Sequence, residues 1–423
     1  MKLTRQYILK PLLYIYIFYV VYTPIFGSGV IFDKYIVLSI LALIMLLPYL
    51  LRQDQSILKI LGHRNVILLM FVVFSLSLYP IFIQTINNIP INSIADLRIV
   101  QNNLINILII HAAIIVDKLR KFGCSKAQGF EILLKFGMLQ GILCILGLFL
   151  PGIKSIFISL YQAGGGFNQF VIDTRIFGIS SDYTFGTPIY HGLIAGLAVY
   201  FALRYGIRRY YLYVPFILLA TFLNGRTGIL VFLLTATASI FYVYARRSRL
   251  VNAFFAFGVV IALLAGLLAG VARFAPNAYN FIDSFIDDTR NLIEKYELTG
   301  NYEVLYEETV KVLPKNENLW FGSGYRIYDV QGAQRAGGRS DVGYINDLFV
   351  GGIFYIIVLY GAAFSFMMYR ARKEAFVFSL IIFIMLVVNI KGEIFRSAIF
   401  MFAVVYIKML SLEYDKIKDC DER

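Results

Sequence analysis

Long apolar stretches separated by short polar segments recur along the whole chain. A helix of about 20 residues spans the roughly 30 Å hydrocarbon core of a bilayer, and most of the stretches approach that length. The pattern predicts transmembrane helices near residues 7–26, 34–51, 66–83, 97–117, 130–150, 188–204, 211–223, 227–245, 251–272, 343–369, 375–390 and 394–411. We therefore expect an all-α integral membrane protein, one polytopic domain over residues 1–423 with a bundle of about 12 transmembrane helices.

Two of these stretches differ from the rest. The stretch at 211–223 is short for a full crossing, and the stretch at 97–117 is interrupted by polar residues. Those residues are Gln101, Asn102, Asn103, Asn106 and His111. Because a polar group facing lipid is costly, we expect these side chains to face protein or water. The first stretch follows Lys2 and Arg5 as in a signal peptide, but its length and lack of a small-residue cleavage site favour an uncleaved anchor.

Composition agrees with lipid as the main solvent, because 59% of the residues are hydrophobic and only 15% are charged. The net charge of +13 lies in short clusters between the apolar stretches, so no nucleic-acid partner is expected. Cys124, Cys144 and Cys420 show no paired spacing with each other or with the histidines. The sequence therefore predicts neither a disulfide framework nor a metal site, and no cofactor.

The basic clusters predict the orientation, because cytoplasmic loops of membrane proteins are enriched in Lys and Arg. With the N-terminus inside, every second loop falls on the cytoplasmic side, and each of those loops is basic. Their Lys and Arg residues are Arg52, Lys59, Arg64, Lys118, Arg120, Lys121, Lys126, Arg204, Arg208, Arg209, Arg246, Arg247, Arg249, Arg370, Arg372 and Lys373. Both termini are then expected in the cytoplasm.

Two long outer segments follow from this topology, at 151–187 and 273–342. The first contains the glycine run 164–166, which indicates an irregular loop. The second opens with apolar residues at helical spacing over 281–296 and acids between them, which predicts an amphipathic helix lying on the membrane surface. A further helical stretch is expected at 302–312, so the larger outer segment should be partly helical.

A tight turn with one arginine lies between two apolar stretches, in the sequence Asn224-Gly225-Arg226-Thr227-Gly228. One interpretation is a helical hairpin whose arginine extends to lipid phosphates. The functional interpretation has more support, because the positive-inside rule disfavours an arginine at this outer position. The planar guanidinium of Arg226 could bind a diphosphate through two parallel hydrogen bonds.

Each long outer segment also contains an arginine followed eleven residues later by a glycine, Arg175 with Gly186 and Arg326 with Gly337. Arginine suits bidentate phosphate binding, which favours a functional interpretation of both pairs. The alternative is that both arginines form solvated ion pairs with acids close in sequence, namely Asp173, Asp182 and Asp329.

Three segments near the end of the larger outer region carry a resemblance to a known family. Asn318-Leu319-Trp320-Phe321-Gly322-Ser323-Gly324, Ser340-Asp341-Val342-Gly343-Tyr344 and Leu348-Phe349-Val350-Gly351-Gly352-Ile353 together resemble the pattern that closes the large outer loop of bacterial O-antigen polymerases. The arginine turn and the two arginine-to-glycine spacings resemble motifs of the same superfamily, which also includes the O-antigen ligases. Ligases carry a histidine where this chain has Asp341, and that departure favours a polymerase.

The resemblance implies a glycosyltransferase that joins undecaprenyl diphosphate-linked oligosaccharide repeats on the periplasmic face of the bacterial inner membrane. Membrane lipid and a chain-length regulator protein are the other implied partners. Such a transfer needs cations that hold the leaving diphosphate and a base that accepts the proton of the attacking hydroxyl. The candidate cations are Arg175, Arg226, Arg326 and Arg339. Asp341 is the candidate base, and His191 is the second candidate.

Several other residues complete the candidate site. Substrate contacts are expected from Gly186, Gly337, Tyr344, Glu393 and Arg396. His191 is equally interpretable as a buried histidine that packs between helices, and this interpretation is favoured. Lys391, Glu393 and Arg396 form a compact charged connection between the last two apolar stretches, which is either a salt-bridged turn or part of the site.

Two alternative functions remain open from the sequence. A ligase of the same superfamily would transfer the finished polymer to a lipid A core. A secondary transporter or lipid-linked oligosaccharide flippase would need charged groups deep inside its transmembrane helices. Such charges are nearly absent from the predicted spans, Lys135 being the main exception, and this favours the polymerase.

Overall fold

A computed structural model gives the fold, and it describes residues 2–24, 34–89, 102–163, 169–176, 178–180, 182, 185–295, 299–300, 303, 306–307, 312–314, 317–328 and 330–421. All regular structure within these residues is helical, which confirms the predicted all-α class for them.

The helices of the first half are α1 (Lys2–Tyr22), α2 (Lys34–Arg52), α3 (Ser56–Leu61), α4 (Arg64–Ile86), α5 (Leu104–Lys121), α6 (Lys126–Phe149), α7 (Pro151–Ala163), α8 (Gln169–Thr174) and α9 (Gly186–Tyr205). Those of the second half are α10 (Val214–Asn224), α11 (Arg226–Ala245), α12 (Leu250–Phe274), α13 (Pro276–Lys295), α14 (Glu317–Phe321), α15 (Val330–Ala336), α16 (Gly343–Met368), α17 (Ala375–Val388) and α18 (Ala398–Asp421). Short 3₁₀ helices lie at Arg208–Leu212 and Ile394–Arg396.

Six helices in the described part of the chain are long and apolar enough to cross a membrane: α4, α6, α9, α11, α12 and α16. Each coincides with a predicted transmembrane stretch to within a few residues. Shorter apolar helices lie at Leu9–Tyr22, Ile36–Leu51 and Ala375–Val388. The predicted total of about 12 crossings therefore stays a prediction.

Three predicted stretches differ from the helices found there. The stretch at 97–117 is shifted, because α5 begins only at Leu104 and continues to Lys121, while residues 90–101 lie outside the described part. The stretch at 211–223 corresponds to α10, whose 11 residues extend roughly 16 Å at about 1.5 Å per residue, too short to cross a bilayer alone. The last stretch starts with a 3₁₀ turn, and α18 begins at Ala398.

Three of the five polar residues of the fourth stretch have protein partners, as expected, and Gln101 lies outside the described residues. Asn103 donates to the Ser77 hydroxyl at 2.7 Å, and Asn106 donates to the Met70 carbonyl at 3.1 Å. His111 is hydrogen-bonded through Nδ1 to the hydroxyl of Tyr16. These bonds offset the cost of placing polar groups within an apolar region.

The chain divides into two compact units. The first comprises Met1–Ile57, His111–Asp283 and Phe402–Arg423, and the second comprises Leu58–Ile110 and Ser284–Met401. Within the first unit, 94% of the apolar window of α9 is buried, against 17% for α12. Helix α9 therefore lies at the centre of this unit, whereas α12 presents most of its apolar surface outward.

Glycines allow α9 and α11 to pack with their backbones in close contact. A Cβ on Gly192 would overlap the carbonyl group of Gly228, and a Cβ on Gly228 would overlap the carbonyl group of Pro188. Gly196, one turn after Gly192, lies against Thr235. Small residues spaced four apart are typical of closely packed membrane helices, because they replace side-chain volume with direct backbone contact.

Charged residues of the predicted cytoplasmic loops pair with buried acids of the first unit. Asp117 is buried and accepts hydrogen bonds from Tyr49 at 2.6 Å and from Arg120 at 2.7 Å. Lys121 bridges Asp117 and Asp54 at 2.8 and 2.5 Å. The basic loop after α5 is therefore fixed to the end of α2 by a dense set of charge-assisted hydrogen bonds.

In the second unit, glycines allow two of the segments that carry the family resemblance to pack closely on one another. Helix α16 is interrupted at Gly352, whose φ of 70° is in the left-handed region. A Cβ there would lie 2.5 Å from the backbone nitrogen of Phe321. Gly322, also at positive φ, lies equally close to the backbone of Gly351, and the amides of Ser323 and Gly324 donate to the Phe349 carbonyl. The segments 318–324 and 348–353 thus form one packed substructure.

The two segments predicted to be outer are partly helical in their described residues. The region 151–187 contains α7 and α8, and the larger region contains the amphipathic helix α13, which begins five residues before the predicted start. The glycine run 164–166 and most of 302–312 lie outside the described residues.

Candidate functional site

The arginine turn is as tight as predicted. Helix α10 ends at Asn224, α11 begins at Arg226, and only the extended Gly225 separates them. Arg226 is therefore the first residue of α11, where the helix dipole and the unpaired backbone N–H groups already carry positive character. The helix dipole disfavours a cation and favours an anion at this end of a helix.

Arg175 lies close to this turn, within the first unit. It follows α8, is 9% exposed, and donates through Nη1 to the carbonyl of Asn224. Burial and the neighbouring guanidinium of Arg226 lower the pKa of Arg175 to about 10. Asp182 acts in the opposite direction and raises the pKa of Arg175, as expected from the ion-pair alternative. The structure thus brings together two predicted cations that are 51 residues apart in sequence.

His191 is a packing residue in this conformation. It lies in α9 with 1% of its surface exposed, and its Nε2 is hydrogen-bonded to the Tyr22 hydroxyl at 2.9 Å. Its ring also packs edge-on to Tyr22. These contacts agree with the interpretation that the sequence favoured. Gly186, the other candidate nearby in sequence, is the first residue of α9.

A four-residue ionic network occupies the second unit. Arg326 donates through Nε to Glu393 Oε1 at 2.8 Å, and its Nη2 contacts the other carboxylate oxygen, so the pair is bidentate. Arg396 Nη1 bridges Glu393 at 2.6 Å and Asp347 at 2.9 Å. Arg326 and Arg396 are each 10% exposed. The alternative partner expected from the sequence, Asp329, lies outside the described residues.

Arg396 is only partly satisfied by this network. Its Nη2 has no hydrogen-bond acceptor among the described residues. A buried guanidinium nitrogen without an acceptor is costly, and such groups commonly mark a position where a ligand or water supplies the missing oxygen.

The Tyr328 ring contacts Arg326 and also Arg339, which is paired with Asp341. The guanidinium carbon of Arg326 lies 5.6 Å from the centre of the Tyr328 ring, and that of Arg339 lies 4.6 Å from it. Arg339 also contacts the carboxylate of Asp341 at 3.5 Å. The ring is partly exposed, as are Arg339 and Asp341. Two candidate cations therefore share one tyrosine ring, and the candidate base contacts one of these cations.

Asn346 holds this arrangement in place. Its Oδ1 accepts from the backbone amide of Tyr328 at 2.9 Å, and its Nδ2 donates to the carbonyl of Ser340 at 2.8 Å. Asn346 and Ser340 are both fully buried. One amide side chain thus fixes the irregular segment that carries Tyr328 to the segment that carries Arg339 and Asp341.

Two further predicted site residues, Tyr344 and Gly337, have structural roles. The Tyr344 hydroxyl donates to the Leu386 carbonyl at 2.8 Å, and its ring stacks on Tyr360 at 5.9 Å. Gly337 follows α15 with a φ of 72°, the left-handed conformation that commonly ends a helix. Its position eleven residues after Arg326 is therefore explained by the backbone alone.

The sequence analysis missed three residues that organise the site: Tyr328, Asn346 and Asp347. Asp347 is buried in α16, where it accepts from Arg396 and from the Tyr360 hydroxyl at 2.9 Å. A lone acid in an apolar stretch was its available signal. Tyr328 and Asn346 had no such signal, because their roles depend on partners that only the fold brings near.

Buried charges are also more frequent than the sequence indicated. Lys408 is fully buried in α18, and Glu131 is 6% exposed in α6, where Arg209 contacts it at 2.5 Å. Both lie near an end of a predicted stretch, 130–150 for Glu131 and 394–411 for Lys408, so the expectation that charges deep within the spans are nearly absent stays a prediction. Lys135 itself is paired with Glu131 at 3.3 Å.

No group of three or more His, Cys, Asp or Glu side chains in the described part of the chain is arranged to hold a metal ion. The polar groups near the arginine turn and in the ionic network of the second unit are guanidinium and carboxylate groups. Guanidinium groups suit the binding of an anionic ligand, and a carboxylate can accept a proton.

Comparisons of the chain with family models, with curated proteins and with solved structures found no match.

Proposed function

We propose that this chain is a membrane polymerase that joins lipid diphosphate-linked oligosaccharide repeats. A hydroxyl of the incoming repeat attacks the anomeric carbon of the growing glycan and forms the new glycosidic bond. The bond from that carbon to the lipid diphosphate breaks, the diphosphate leaves with the bonding electrons, and a protein base accepts the hydroxyl proton. The required protein groups are cations and one base, without a metal.

The observation that carries this proposal is that the guanidinium groups of Arg326 and Arg339 both lie over the Tyr328 ring and that Arg339 contacts Asp341. These residues were chosen from sequence as phosphate-binding cations and as the base, and they lie close together. The segments that resemble the loop-closing pattern of O-antigen polymerases also pack directly on one another, through Gly322 and Gly352. Packing of 318–324 on 348–353, two of the three segments that carry the resemblance, supports the proposal.

The arrangement suggests a division of roles. Asp341 is 44% exposed at its side chain and accessible to a sugar hydroxyl, so it serves as the base. Arg339 beside it and the buried Arg326 present guanidinium groups to the diphosphate, where negative charge builds as the bond breaks. Tyr328 offers an aromatic face between them, and Glu393 fixes the orientation of Arg326.

The pair Arg175 and Arg226 supports a second diphosphate contact. Two guanidinium groups close enough to lower a pKa repel each other, and an anion bound between them relieves that repulsion. Two lipid diphosphates take part in each cycle, one on the donor and one on the acceptor, so two cationic sites suit the reaction.

The proposal includes a location. The chain lies in a bacterial inner membrane with both termini in the cytoplasm, and the segments 151–187 and 273–342 face the periplasm. The basic loops support this orientation. A chain-length regulator protein is the proposed partner.

The proposal is tested in cells by replacing Asp341 with Asn. This variant keeps the shape of the side chain and removes its capacity to accept a proton, a change that typically costs about a hundredfold to ten-thousandfold in rate. At normal expression, single capped repeats should replace long chains of surface polysaccharide. Full-length polymer from the variant would show that Asp341 is not the base, and would pass that role to Glu393 or His191.

The buried charges favour one second candidate, a transporter or flippase of lipid-linked oligosaccharides. Lys408 is fully buried in α18, and intramembrane charges of this kind are typical of transport proteins. Movement of a lipid-linked repeat across proteoliposomes by the purified chain, with no bond formed, would establish this alternative. A ligase has less support, because Asp341 occupies the position of the ligase histidine.

A further inference from the structure

Helix α16 consists of two half-helices that fold toward one another at Gly352. Tyr344 and Tyr360 are 16 residues apart in sequence, and a straight helix would separate them by about 24 Å. Their rings nevertheless stack with centres 5.9 Å apart, and each residue lies eight positions from Gly352. The 26 residues of α16 therefore do not extend as one straight rod, and the half-helix 343–351 lies beside the half-helix 353–368.

This fold-back brings Asp347 of the first half-helix to the hydroxyl of Tyr360 on the second. That hydroxyl donates to Asp347 Oδ2 at 2.9 Å, and it accepts from Nδ2 of Asn389, just after α17. Asn389 Oδ1 in turn accepts from the Ile394 amide at 3.0 Å. The side chains of Asp347, Tyr360 and Asn389 are all buried. Because the Tyr360 hydroxyl has a fixed donor on one side and a carboxylate on the other, its proton points to Asp347.

Asp347 is one of two acids that orient the guanidinium of Arg396. Arg396 Nη1 donates to Asp347 Oδ1 at 2.9 Å and to Glu393 Oε1 at 2.6 Å. A guanidinium is planar and each Nη carries two hydrogens, so the two acids use both hydrogens of Nη1 and fix the plane of the group. Nη2 is buried and has no acceptor among the described residues. The acids therefore hold Arg396 by one nitrogen and leave the other for a ligand oxygen.

Glu393 connects the orientation of Arg396 to that of Arg326. Its Oε1 accepts from Arg396 Nη1 and also from Arg326 Nε, the latter at 2.8 Å. A displacement of Arg396 therefore moves the carboxylate that holds Arg326. From Tyr360 to Arg326 every step is a direct hydrogen bond within the second unit, through Asp347, Arg396 and Glu393.

We propose that Tyr360 is a positioning residue for this site. Its hydroxyl holds Asp347, and through Asp347 it keeps Arg396 in the orientation in which Nη2 meets an oxygen of the substrate. This inference rests on the proposed function, and adds to it a residue that acts on the site without touching the substrate. A reactive arrangement must be held within about 0.5 Å of its productive geometry. Without the hydroxyl, the Asp347 carboxylate loses the donor on Oδ2 and can rotate, so Arg396 loses its fixed acceptor.

A purely structural role for the same hydroxyl is the alternative, since it also satisfies two buried polar groups. The two roles differ in what they change. A structural residue determines how much of the protein is folded, whereas a positioning residue determines the rate of each folded molecule. When an interaction made only in the transition state is lost, kcat and kcat/KM fall by the same factor and KM stays unchanged.

The test compares Tyr360→Phe with Tyr406→Phe in purified full-length protein in lipid nanodiscs, supplied with a lipid diphosphate-linked repeat. Tyr406 is fully buried in the first unit, and its hydroxyl donates to the Gly129 carbonyl at 3.0 Å, so each variant loses one buried hydroxyl. Loss of one hydrogen bond to a charged group corresponds to about tenfold or more, so kcat of Tyr360→Phe should fall by that factor at constant KM. Tyr406→Phe should keep the wild-type kcat. A wild-type kcat in Tyr360→Phe, or the same loss in both variants, would overturn the proposal.

Arginine modification by phenylglyoxal provides a second measurement, which does not depend on polymerisation. Arg396 is 10% exposed and should react slowly in the wild type and in Tyr406→Phe, and about tenfold faster in Tyr360→Phe. The exposed Arg335 is the internal standard, with one rate in all these proteins. An unchanged Arg396 rate in Tyr360→Phe would refute the proposal. Faster modification in a protein that forms no polymer would support the positioning of Arg396 and count against the polymerase, whereas polymer formed by Tyr360→Phe at the wild-type rate would reject the positioning role and leave the polymerase intact.

Discussion

Replacing Gly192 with Ala tests how the fold places Arg226. Gly192 lies in α9 and faces Gly228 of α11, two residues after Arg226. A Cβ at this position would overlap the Gly228 carbonyl oxygen, and it would lie 3.0 Å from the carbonyl carbon and 3.1 Å from the Phe232 nitrogen. All three are backbone atoms, so no side chain can rotate away to make room.

The two helices must therefore move apart. Overpacking of a tight core typically costs about 1 to 3 kcal/mol, and we expect Gly192→Ala to fall in this range. The control is Gly266→Ala in α12, where a new Cβ meets nothing within 4 Å. Alanine is favoured over glycine in a helix by about 0.5 to 1 kcal/mol, so the control should be neutral or stabilising.

The same displacement should affect function, because Arg226 is the first residue of the helix that moves. A shift of about 1 Å in a positioning group can cost about a hundredfold in rate. Gly192→Ala should therefore shorten or abolish polymer even at growth temperatures where the protein remains folded, while Gly266→Ala should leave polymer length unchanged.

The assay is thermal unfolding of both purified variants in detergent, followed by circular dichroism, with polymer length measured in cells. We expect a melting temperature lower by several degrees for Gly192→Ala alone. Equal melting temperatures for Gly192→Ala, Gly266→Ala and the wild type would contradict the close approach of α9 and α11. A large loss of stability with normal polymer would contradict the link from this contact to Arg226.

Three further predictions concern the site and its setting. Arg326→Lys should abolish polymerisation, because an ammonium group keeps the charge but loses the bidentate geometry toward Glu393; the exposed Arg335, changed to Lys, is the control that should retain it. A chelator should leave the activity of purified protein unchanged, and activity lost and then restored by magnesium or manganese would count against this. Gly300→Cys should react with a membrane-impermeant thiol reagent added from outside the cell, and labelling from inside only would reverse the proposed orientation.

The hydrophobic pattern alone predicted the helices that are long and apolar enough to cross a membrane. The stretches that became α4, α6, α9, α11, α12 and α16 are long, apolar and little interrupted, so length was a sufficient criterion. It was less decisive for 211–223, because an apolar helix as short as α10 can be buried by neighbouring helices, so the crossing there stays a prediction. It also misplaced the helix at 97–117, where polar residues blur the boundary.

The candidate site was predictable only in part. Arginines stand out in an apolar sequence, so Arg175, Arg226 and Arg326 could be chosen from their positions. Their partners could not, because Arg326 meets Glu393 across 67 residues and Arg175 contacts the carbonyl of Asn224 across 49. Backbone acceptors and long-range acids leave no pattern in one sequence, since any of many carboxylates and carbonyls could serve.

Tyr344 and Gly337 show that a pattern-based choice can also have a structural explanation. Both were chosen because they lie within a family-like pattern or a spacing, yet the contacts of Tyr344 with Leu386 and Tyr360 and the positive φ of Gly337 explain their presence structurally. A sequence pattern can therefore mark residues that the fold requires as well as residues that take part in catalysis.

The most direct test of the central claim is reconstitution of the purified chain with a single defined substrate, a lipid diphosphate-linked oligosaccharide repeat, in vesicles without added metal. A polymerase should produce a ladder of glycans that lengthens with time, and it should release one lipid diphosphate for each new linkage. The ladder should disappear in Asp341→Asn, while Gly266→Ala should retain it. Consumption of no substrate by well-folded wild-type protein, or movement of the intact repeat across the membrane without any new glycosidic bond, would contradict the account.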